Sequence, residues 1–204
     1  MALVEKMPLQ DGTMLGLWRV DETVAQLQVL GNVHKQVCEA YTSNKRRLEV
    51  LCTYALLFAL TDDVSLRIEH LPYGKPLCVS HATGRRYYIS VSHTKGYAAL
   101  ILSRNQEVAV DIEYFSDRVE RISSKFLRMD ENASDLDSKL VHWCAKETVY
   151  KLFSEENLKF DDMRVKPFDT MSDWACDVEN LKNKKVAHVD FELTMEFVLT
   201  YAAM

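Results

Sequence analysis

The order of helix-like and strand-like segments is the feature that most constrains how this chain can fold. A segment at about 45–60 has apolar residues three and four positions apart, as on the buried face of a helix. Strand-like segments follow it, and the second half repeats the mixture, with a helix at about 137–153 and strands after it. The strict strand–helix–strand rhythm of a parallel sheet is missing. We therefore expect an α+β fold with mainly antiparallel sheets.

The remaining elements are predicted from the same periodicities and from turn residues between them. Helices are expected at about 21–30, 45–60, 118–128 and 137–153, and Asn32 can start another. Strands are expected at 15–20, 66–71, 86–92, 97–103, 107–114, 163–168, 172–178, 186–193 and 196–202. Because only Arg104–Gln106 separates the strands at 97–103 and 107–114, these two are expected to pair as a hairpin.

Glycine and proline are scarce, which removes one common way of binding phosphate. The 204 residues include six glycines and four prolines, about half of the usual share of these two types. Neither of the glycine-rich patterns that hold a nucleotide phosphate is present. Any phosphate chemistry must therefore use a metal ion and cationic side chains.

Composition excludes other classes of partner and location. A net charge of −5 argues against nucleic-acid binding. The longest apolar run, Cys52–Leu60, is shorter than the roughly 20 residues that cross a bilayer, so no membrane association is expected. The first residues lack the basic and apolar regions of a signal peptide. Five cysteines without a Cys-x-x-Cys spacing favour thiols in the cytoplasm over disulfides or zinc.

Two acidic residues alternate with apolar ones along the strand at 108–113. Val108, Val110 and Ile112 point to one face, whereas Asp111 and Glu113 point to the other. Two carboxylates so placed lie about 7 Å apart along the strand, and they repel each other unless a cation or water lies between them. The alternative is a solvent-exposed strand end with two ordinary acids.

A third carboxylate belongs to the helix at 137–153. Trp143, Glu147 and Lys151 follow at intervals of four and share one face. The opposite, buried stripe is expected to contain Val141, Ala145, Val149 and Leu152. A stabilising Glu–Lys helix pair is the simpler interpretation of Glu147 and Lys151, but it does not explain the tryptophan on that face.

Together, Asp111, Glu113 and Glu147 would form an all-oxygen site suited to Mg²⁺, with Mn²⁺ as an alternative. Ser92-His93-Thr94, where a strand ends, could face a phosphate, although a lone histidine is more often structural. Lys45-Arg46-Arg47 lies in the first turn of a helix, where cations are unfavourable for the helix dipole. That position favours a role in binding an anion.

In their order, these motifs resemble the 4'-phosphopantetheinyl transferases, and within them the long, single-chain type that activates surfactin synthetase. The matching motifs are Gly74-Lys75-Pro76, Ser90-Val91-Ser92-His93-Thr94, Val110-Asp111-Ile112-Glu113 and Trp143-x-x-Lys146-Glu147-x-x-x-Lys151. Phe126 and Glu131 are similar to the Phe/Glu segment of the family. The resemblance covers about residues 74–151. Any one motif is weak, but four in the right order are specific.

The resemblance implies a reaction and a fold. Such enzymes move the phosphopantetheine arm of coenzyme A to a serine of an apo acyl or peptidyl carrier protein and release 3',5'-ADP. The long type has two similar α+β lobes related by pseudo-twofold symmetry, with coenzyme A between them. Here the lobes would be 1–113 and 114–204, and the chain would be a monomer. Carrier proteins are usually acidic, and residues 44–128 have a net charge of +4.

The resemblance also implies residue roles. Asp111, Glu113 and Glu147 would hold the metal, Glu147 would be the base, and Lys151 would stabilise developing negative charge. Residues expected to contact coenzyme A are Lys45, Arg46, Arg47, Lys75, Pro76, Ser92, His93, Thr94, Lys146 and Lys151. Ala109 replaces a frequent glycine, Ser90 replaces a frequent asparagine, and Tyr54 stands where many members have arginine.

Two other functions fit part of the pattern. A catalytically silent module of the same fold would bind carrier proteins or coenzyme A without transfer. A Mg²⁺-dependent phosphohydrolase would use the three carboxylates but does not account for the ordered motifs.

Overall fold

The computed structural model describes residues 3–30, 39–72 and 74–204, so the predicted helix start at Asn32 lies outside the described residues. The chain divides into two compact units, Met1–Asn105 and Gln106–Met204. The predicted boundary at 113/114 is therefore corrected to 105/106. The strand Val108–Tyr114 pairs with Phe197–Ala203, so it is part of the second unit.

Within its described residues, the first unit has six antiparallel strands and two α-helices. The strands are β1 (Leu3–Pro8), β2 (Met14–Arg19), β3 (Leu66–His70), β4 (Pro76–Ser80), β5 (Arg86–Thr94) and β6 (Tyr97–Ser103), in the order β1-β2-β6-β5-β4-β3. Helices α1 (Val24–Leu30) and α2 (Asn44–Thr61) accompany the sheet. Gly16 of β2 lets α2 approach closely, because a Cβ at that position would lie 2.7 Å from Cδ1 of Leu56.

The second unit has five antiparallel strands and one long helix. Its strands are β7 (Val108–Tyr114), β8 (Met163–Val165), β9 (Ala175–Asn180), β10 (Val186–Leu193) and β11 (Phe197–Ala203), in the order β7-β11-β10-β9-β8. Helix α3 (Arg118–Ile122) is short, whereas α4 (Leu136–Leu152) packs on the sheet. Asp135 caps α4 by accepting a 2.8 Å hydrogen bond from the Ser138 amide.

The two units share one topology. Leaving β1 aside, each has a first strand, a long helix and a four-stranded meander whose last strand pairs with the first strand. The register of the last two strands also repeats with an offset of 100 residues. Ser92 of β5 pairs with Ala99 of β6, and Glu192 of β10 pairs with Leu199 of β11. Over 76–103 and 176–203, however, only Thr94 and Thr194 are identical. The expectation of two similar α+β lobes is confirmed, and their pseudo-twofold arrangement stays a prediction.

Most predicted elements are confirmed to within a few residues, but the predicted hairpin is wrong. β6 pairs with β2 and β5, and β7 pairs with β11. Strands β1 and β4 were not predicted at all. The predicted helix at 118–128 is shorter, since α3 ends at Ile122 and a 3-10 turn follows at 123–125. No helix within the described residues is long and apolar enough to cross a membrane.

A buried histidine in the second unit should make stability depend on pH. His142 is 3% exposed, and its Nδ1 donates a 2.7 Å hydrogen bond to the Ser138 carbonyl. Burial lowers its pKa below the ordinary 6.5, against the opposing effects of Ser138 and Glu131. Because the unfolded chain then binds the proton more readily, the free energy of unfolding should fall as pH drops below about 6.5, by up to about 1.4 kcal/mol per pH unit.

Urea unfolding at several pH values between 5 and 8 measures this effect. His142→Gln should weaken the acid dependence, whereas His188→Gln, at an exposed histidine, serves as the control. Equal acid dependence in the wild type and His142→Gln would show that another group is responsible.

Candidate active site

Asp111 lies buried at the centre of β7 and faces α4. It is 5% exposed, and its Oδ1 accepts a 2.7 Å hydrogen bond from Nζ of Lys151. Lys151 also donates to the Val110 carbonyl at 2.9 Å. The thiol of Cys144 lies 3.2 Å from Oδ2. The interpretation of Asp111 as an ordinary surface acid is therefore wrong.

Glu113 lies two residues further along β7 and also faces α4. Its Oε1 accepts a 3.2 Å hydrogen bond from the indole Nε1 of Trp143. Burial raises the pKa of Glu113, and the charge of Asp111 raises it further, while the Trp143 hydrogen bond lowers it. The predicted common orientation of the two carboxylates agrees with these contacts.

Glu147 of α4 is the third partly buried carboxylate. Burial raises its pKa to about 7, and the charges of Asp111 and Glu113 act in the same direction, whereas Lys151 acts against them. The three carboxylates therefore repel one another in a region of low solvent exposure. A cation bound among them would relieve that repulsion.

The structure shows the right donor chemistry for a hard cation but not an assembled site. Among the described residues, no group of three or more His, Cys, Asp or Glu side chains is arranged to hold a metal ion. Lys151 and Cys144 engage the two oxygens of Asp111. Three carboxylates still suit Mg²⁺ or Mn²⁺, and a metal on Asp111 would replace at least one of these hydrogen bonds.

Cys144 is a site residue that the sequence analysis missed. Its thiol is fully buried, and burial together with Asp111 raises its pKa well above the ordinary value. The thiol therefore stays protonated and can donate. Helical spacing could have revealed it, since Cys144, Glu147 and Lys151 are three and four positions apart and lie on one side of α4.

Lys146, which was expected to contact coenzyme A, is engaged by protein groups instead. Its side chain is completely buried, and Nζ donates to the Phe126 carbonyl and to Oε2 of Glu131, both at 2.7 Å. A third, longer hydrogen bond of 3.4 Å reaches the Phe160 carbonyl. An ammonium group has three donors, so none remains for a ligand in this arrangement.

The first unit contains a cavity of about 330 Å³ that includes three of the predicted coenzyme A contacts, Arg46, Pro76 and His93. The other lining residues are Tyr41, Glu49, Val50, Thr53, Tyr54, Ile68, His70 and Val91. The cavity thus offers a mixture of aromatic, apolar and polar groups, which is typical of small-molecule sites.

Two groups in this cavity have defined partners. Arg46 pairs with Oε2 of Glu49 at 2.9 Å, and its guanidinium lies 5.6 Å from the centre of the Tyr41 ring. Nε2 of His93 lies 3.0 Å from the Glu49 carbonyl and 3.0 Å from Oγ1 of Thr53. Because a carbonyl only accepts, Nε2 carries a proton.

The other predicted contacts of the first unit are not part of this cavity lining. Lys45 and Thr94 line a separate cavity of about 190 Å³. Nε of Arg47 donates a 2.6 Å hydrogen bond to the Tyr41 carbonyl. Ser92 is buried, and Lys75 is half-buried.

A comparison with known families gives a match within the second unit. Residues 107–202 match the family model of the 4'-phosphopantetheinyl transferase superfamily. The match covers just under half of the chain. It contains Asp111, Glu113, Glu147 and Lys151, so the site described above lies within the matched transferase region. No curated protein matches the chain. The second unit thus supports phosphopantetheine transfer in general.

Proposed function

We propose that this protein transfers the 4'-phosphopantetheine arm of coenzyme A to a serine of an apo acyl or peptidyl carrier protein. One observation carries the proposal: Asp111, Glu113 and Glu147 concentrate negative charge beside Lys151 within the matched transferase region. By the resemblance of its motifs, the chain would be of the long, single-chain type. A monomer and, because Cys52, Cys78, Cys144 and Cys176 are free thiols, a cytoplasmic location fit this proposal.

The residues of the second unit suggest how the transfer proceeds. The serine oxygen attacks the phosphorus that carries the pantetheine arm, and the bond from that phosphorus to the bridging oxygen of the pyrophosphate breaks. Glu147 accepts the serine proton, because burial and the neighbouring carboxylates raise the pKa of this carboxyl above its ordinary value and so make it a better base. Lys151, one turn away, stabilises the negative charge that develops on the leaving 3',5'-ADP.

Asp111, Glu113 and Glu147 would hold Mg²⁺ or Mn²⁺, which when bound supplies positive charge to the pyrophosphate. Asp111 is already fixed on both oxygens by neighbouring groups. If a bond to the metal replaced the hydrogen bond between Asp111 and Lys151, the Lys151 ammonium would be able to interact with phosphate.

The cavity lined by Arg46, Pro76 and His93 is the proposed site for the nucleotide end of coenzyme A. Arg46→Ala should weaken coenzyme A binding about tenfold, since a charge-assisted hydrogen bond contributes about 1.5–3 kcal/mol and Glu49 competes for the guanidinium. Isothermal titration calorimetry measures the change. Arg19→Ala, at an exposed arginine paired with Asp21, is the control. Unchanged affinity in Arg46→Ala would place the nucleotide elsewhere.

An acidic carrier protein is proposed to dock near α3. Arg121 is exposed, and its ion pair with Asp117 is weak because the two groups are 3.9 Å apart. Arg128, by contrast, is bound by Asp130 and by the Asp161 carbonyl. Arg121→Glu should raise KM for the carrier several-fold, weaken the dependence of KM on salt and leave kcat unchanged. Steady-state kinetics at two salt concentrations test this prediction. If neither KM nor its salt dependence changes, the carrier docks at another surface.

The nucleotide product separates this function from the alternatives. Chromatography should show 3',5'-ADP only when coenzyme A, Mg²⁺ and an apo carrier protein are all present. Cleavage of coenzyme A without a carrier would instead indicate a phosphohydrolase. Carrier or coenzyme A binding with no product would indicate a catalytically silent module.

A further inference from the structure

Four residues of the matching motifs have no part in the proposed chemistry: Phe126, Glu131, Trp143 and Lys146. The structure brings them together in the second unit, beside the acidic residues of β7. They form one connected set of contacts that ends at the Glu113 carboxylate.

The set begins with a buried ion pair. Lys146 and Glu131 lie 2.7 Å apart, and both side chains are 0% exposed. The other Glu131 oxygen accepts a 2.7 Å hydrogen bond from the Val165 amide, which lies on the edge strand β8. Lys146 donates to the Phe126 carbonyl as well. The pair therefore fixes the segment that carries Phe126 against α4 and the sheet edge.

Phe126 in turn holds the ring of Trp143. The two ring centres are 5.2 Å apart at 73°, an edge-to-face contact, and Phe126 is 0% exposed. Phe160 packs on the indole as well, with ring centres 5.2 Å apart at 33°. Because interiors are close-packed, the indole has little freedom to rotate.

The indole N–H, which is the only donor of this side chain, faces a carboxylate of the proposed metal site. Nε1 of Trp143 donates to Oε1 of Glu113 over 3.2 Å. We propose that Trp143 is a positioning residue that restrains the Glu113 carboxylate for its role as a ligand of the metal ion. This inference rests on the proposed function, because it gives Glu113 the role of a metal ligand.

The chemistry of indole suits this role better than that of other donors. An indole N–H only donates and carries no charge, so it orients a carboxylate without neutralising it. A lysine or arginine at this position would compete with the cation for Glu113. A phenylalanine would pack equally well between Phe126 and Phe160 but would leave Glu113 without this hydrogen bond.

The contact itself can be tested without activity. In a ¹H–¹⁵N spectrum the three tryptophans, Trp18, Trp143 and Trp174, give separate indole signals. Glu113→Gln should shift the indole signal of Trp143. The indole signal of Trp174, which is 75% exposed, should stay unchanged. Mn²⁺ should broaden the Trp143 signal at lower concentration than the Trp174 signal. An indole signal that responds to neither change would overturn the proposal, whether or not the protein transfers phosphopantetheine.

The consequence for function is tested with Trp143→Phe, and Trp174→Phe is the matched control. Loss of an outer-shell partner typically weakens metal affinity 10–100-fold. Trp143→Phe should therefore raise the Mg²⁺ concentration for half-maximal transfer at least tenfold, with kcat at saturating Mg²⁺ nearly retained. The double variant Glu113→Gln/Trp143→Phe should need no more Mg²⁺ for half-maximal transfer than Glu113→Gln alone.

The outcomes distinguish the two proposals. A raised Mg²⁺ requirement in Trp143→Phe, but not in Trp174→Phe, supports the positioning role. An unchanged requirement overturns it even if the wild type is a fully active transferase. A wild type without transfer contradicts the proposed function. The indole signals still show whether Trp143 contacts Glu113.

Discussion

Glu147→Gln is expected to lower kcat for phosphopantetheine transfer about 10²–10⁴-fold, the usual contribution of a general base. The amide keeps the size of the side chain but cannot accept the serine proton, and it removes one charge from the proposed metal site. Because Glu147 is partly buried beside Asp111, with a pKa of about 7, its charge is unfavourable in the folded state at pH 8. The thermal midpoint of the variant should therefore equal or exceed that of the wild type.

Transfer kinetics and thermal unfolding, measured on the same preparations, separate chemistry from folding. Glu155→Gln, at an exposed glutamate of the same unit, is the control and should change neither quantity. Wild-type kcat in Glu147→Gln would rule out Glu147 as the base. A large fall in the thermal midpoint would mean that the carboxylate has a structural role.

Lys146→Met should lower the free energy of unfolding by about 3–5 kcal/mol, the usual effect of breaking a buried ion pair by removing one partner. Methionine fills most of the space of the lysine stem, but it leaves the Glu131 carboxylate buried at 0% exposure without its cation. The carbonyls of Phe126 and Phe160 lose their hydrogen bonds from Lys146 at the same time, although the Met163 amide still donates to the Phe160 carbonyl. Few single substitutions in this chain should have a larger effect on stability.

Urea unfolding measures this loss, and a second substitution identifies its cause. Glu131→Gln in the Lys146→Met background removes the stranded charge but can still accept from the Val165 amide, so it should restore part of the stability. Lys182→Met serves as the control, because its 3.0 Å pair with Asp162 is partly exposed and should contribute no more than about 1 kcal/mol. A loss as small as that of the control would show that the buried pair is not stabilising.

Local periodicity predicted the elements well, because each pattern reflects contacts within a few residues. The bounds of β6 and β10 agree exactly with the prediction. Strands β1 and β4 were missed, since β1 is only half-buried and β4 is short and begins at a proline. The wrong hairpin has a different origin: β7 pairs with a strand about 90 residues away, and no local pattern contains that information.

The duplication of the fold was likewise absent from local sequence comparison. The two units preserve topology and register, whereas the side chains that fill equivalent positions differ. Gly16 of β2, for instance, packs against Leu56, whereas Asp111 of β7 binds Lys151. Packing accepts many residue types, so one architecture can persist with almost no identity.

The candidate site was partly predictable for the same reasons. The period of a strand placed Asp111 and Glu113 on one face, and the period of a helix placed Glu147 beside Lys151. Lys146 was assigned to coenzyme A because it belongs to one of the motifs that match the family. Its burial depends on Glu131, fifteen positions away, and only the tertiary structure reveals that partner.

The central claim is most directly tested by the intact mass of an apo carrier protein after incubation with this protein, coenzyme A and Mg²⁺. We predict a mass gain of one phosphopantetheine group, located on a serine, and a gain that is about 10²–10⁴-fold slower when Glu147→Gln replaces the wild type under the same conditions. An unchanged mass for every carrier tested, with a folded enzyme that binds coenzyme A, would contradict the proposed transfer.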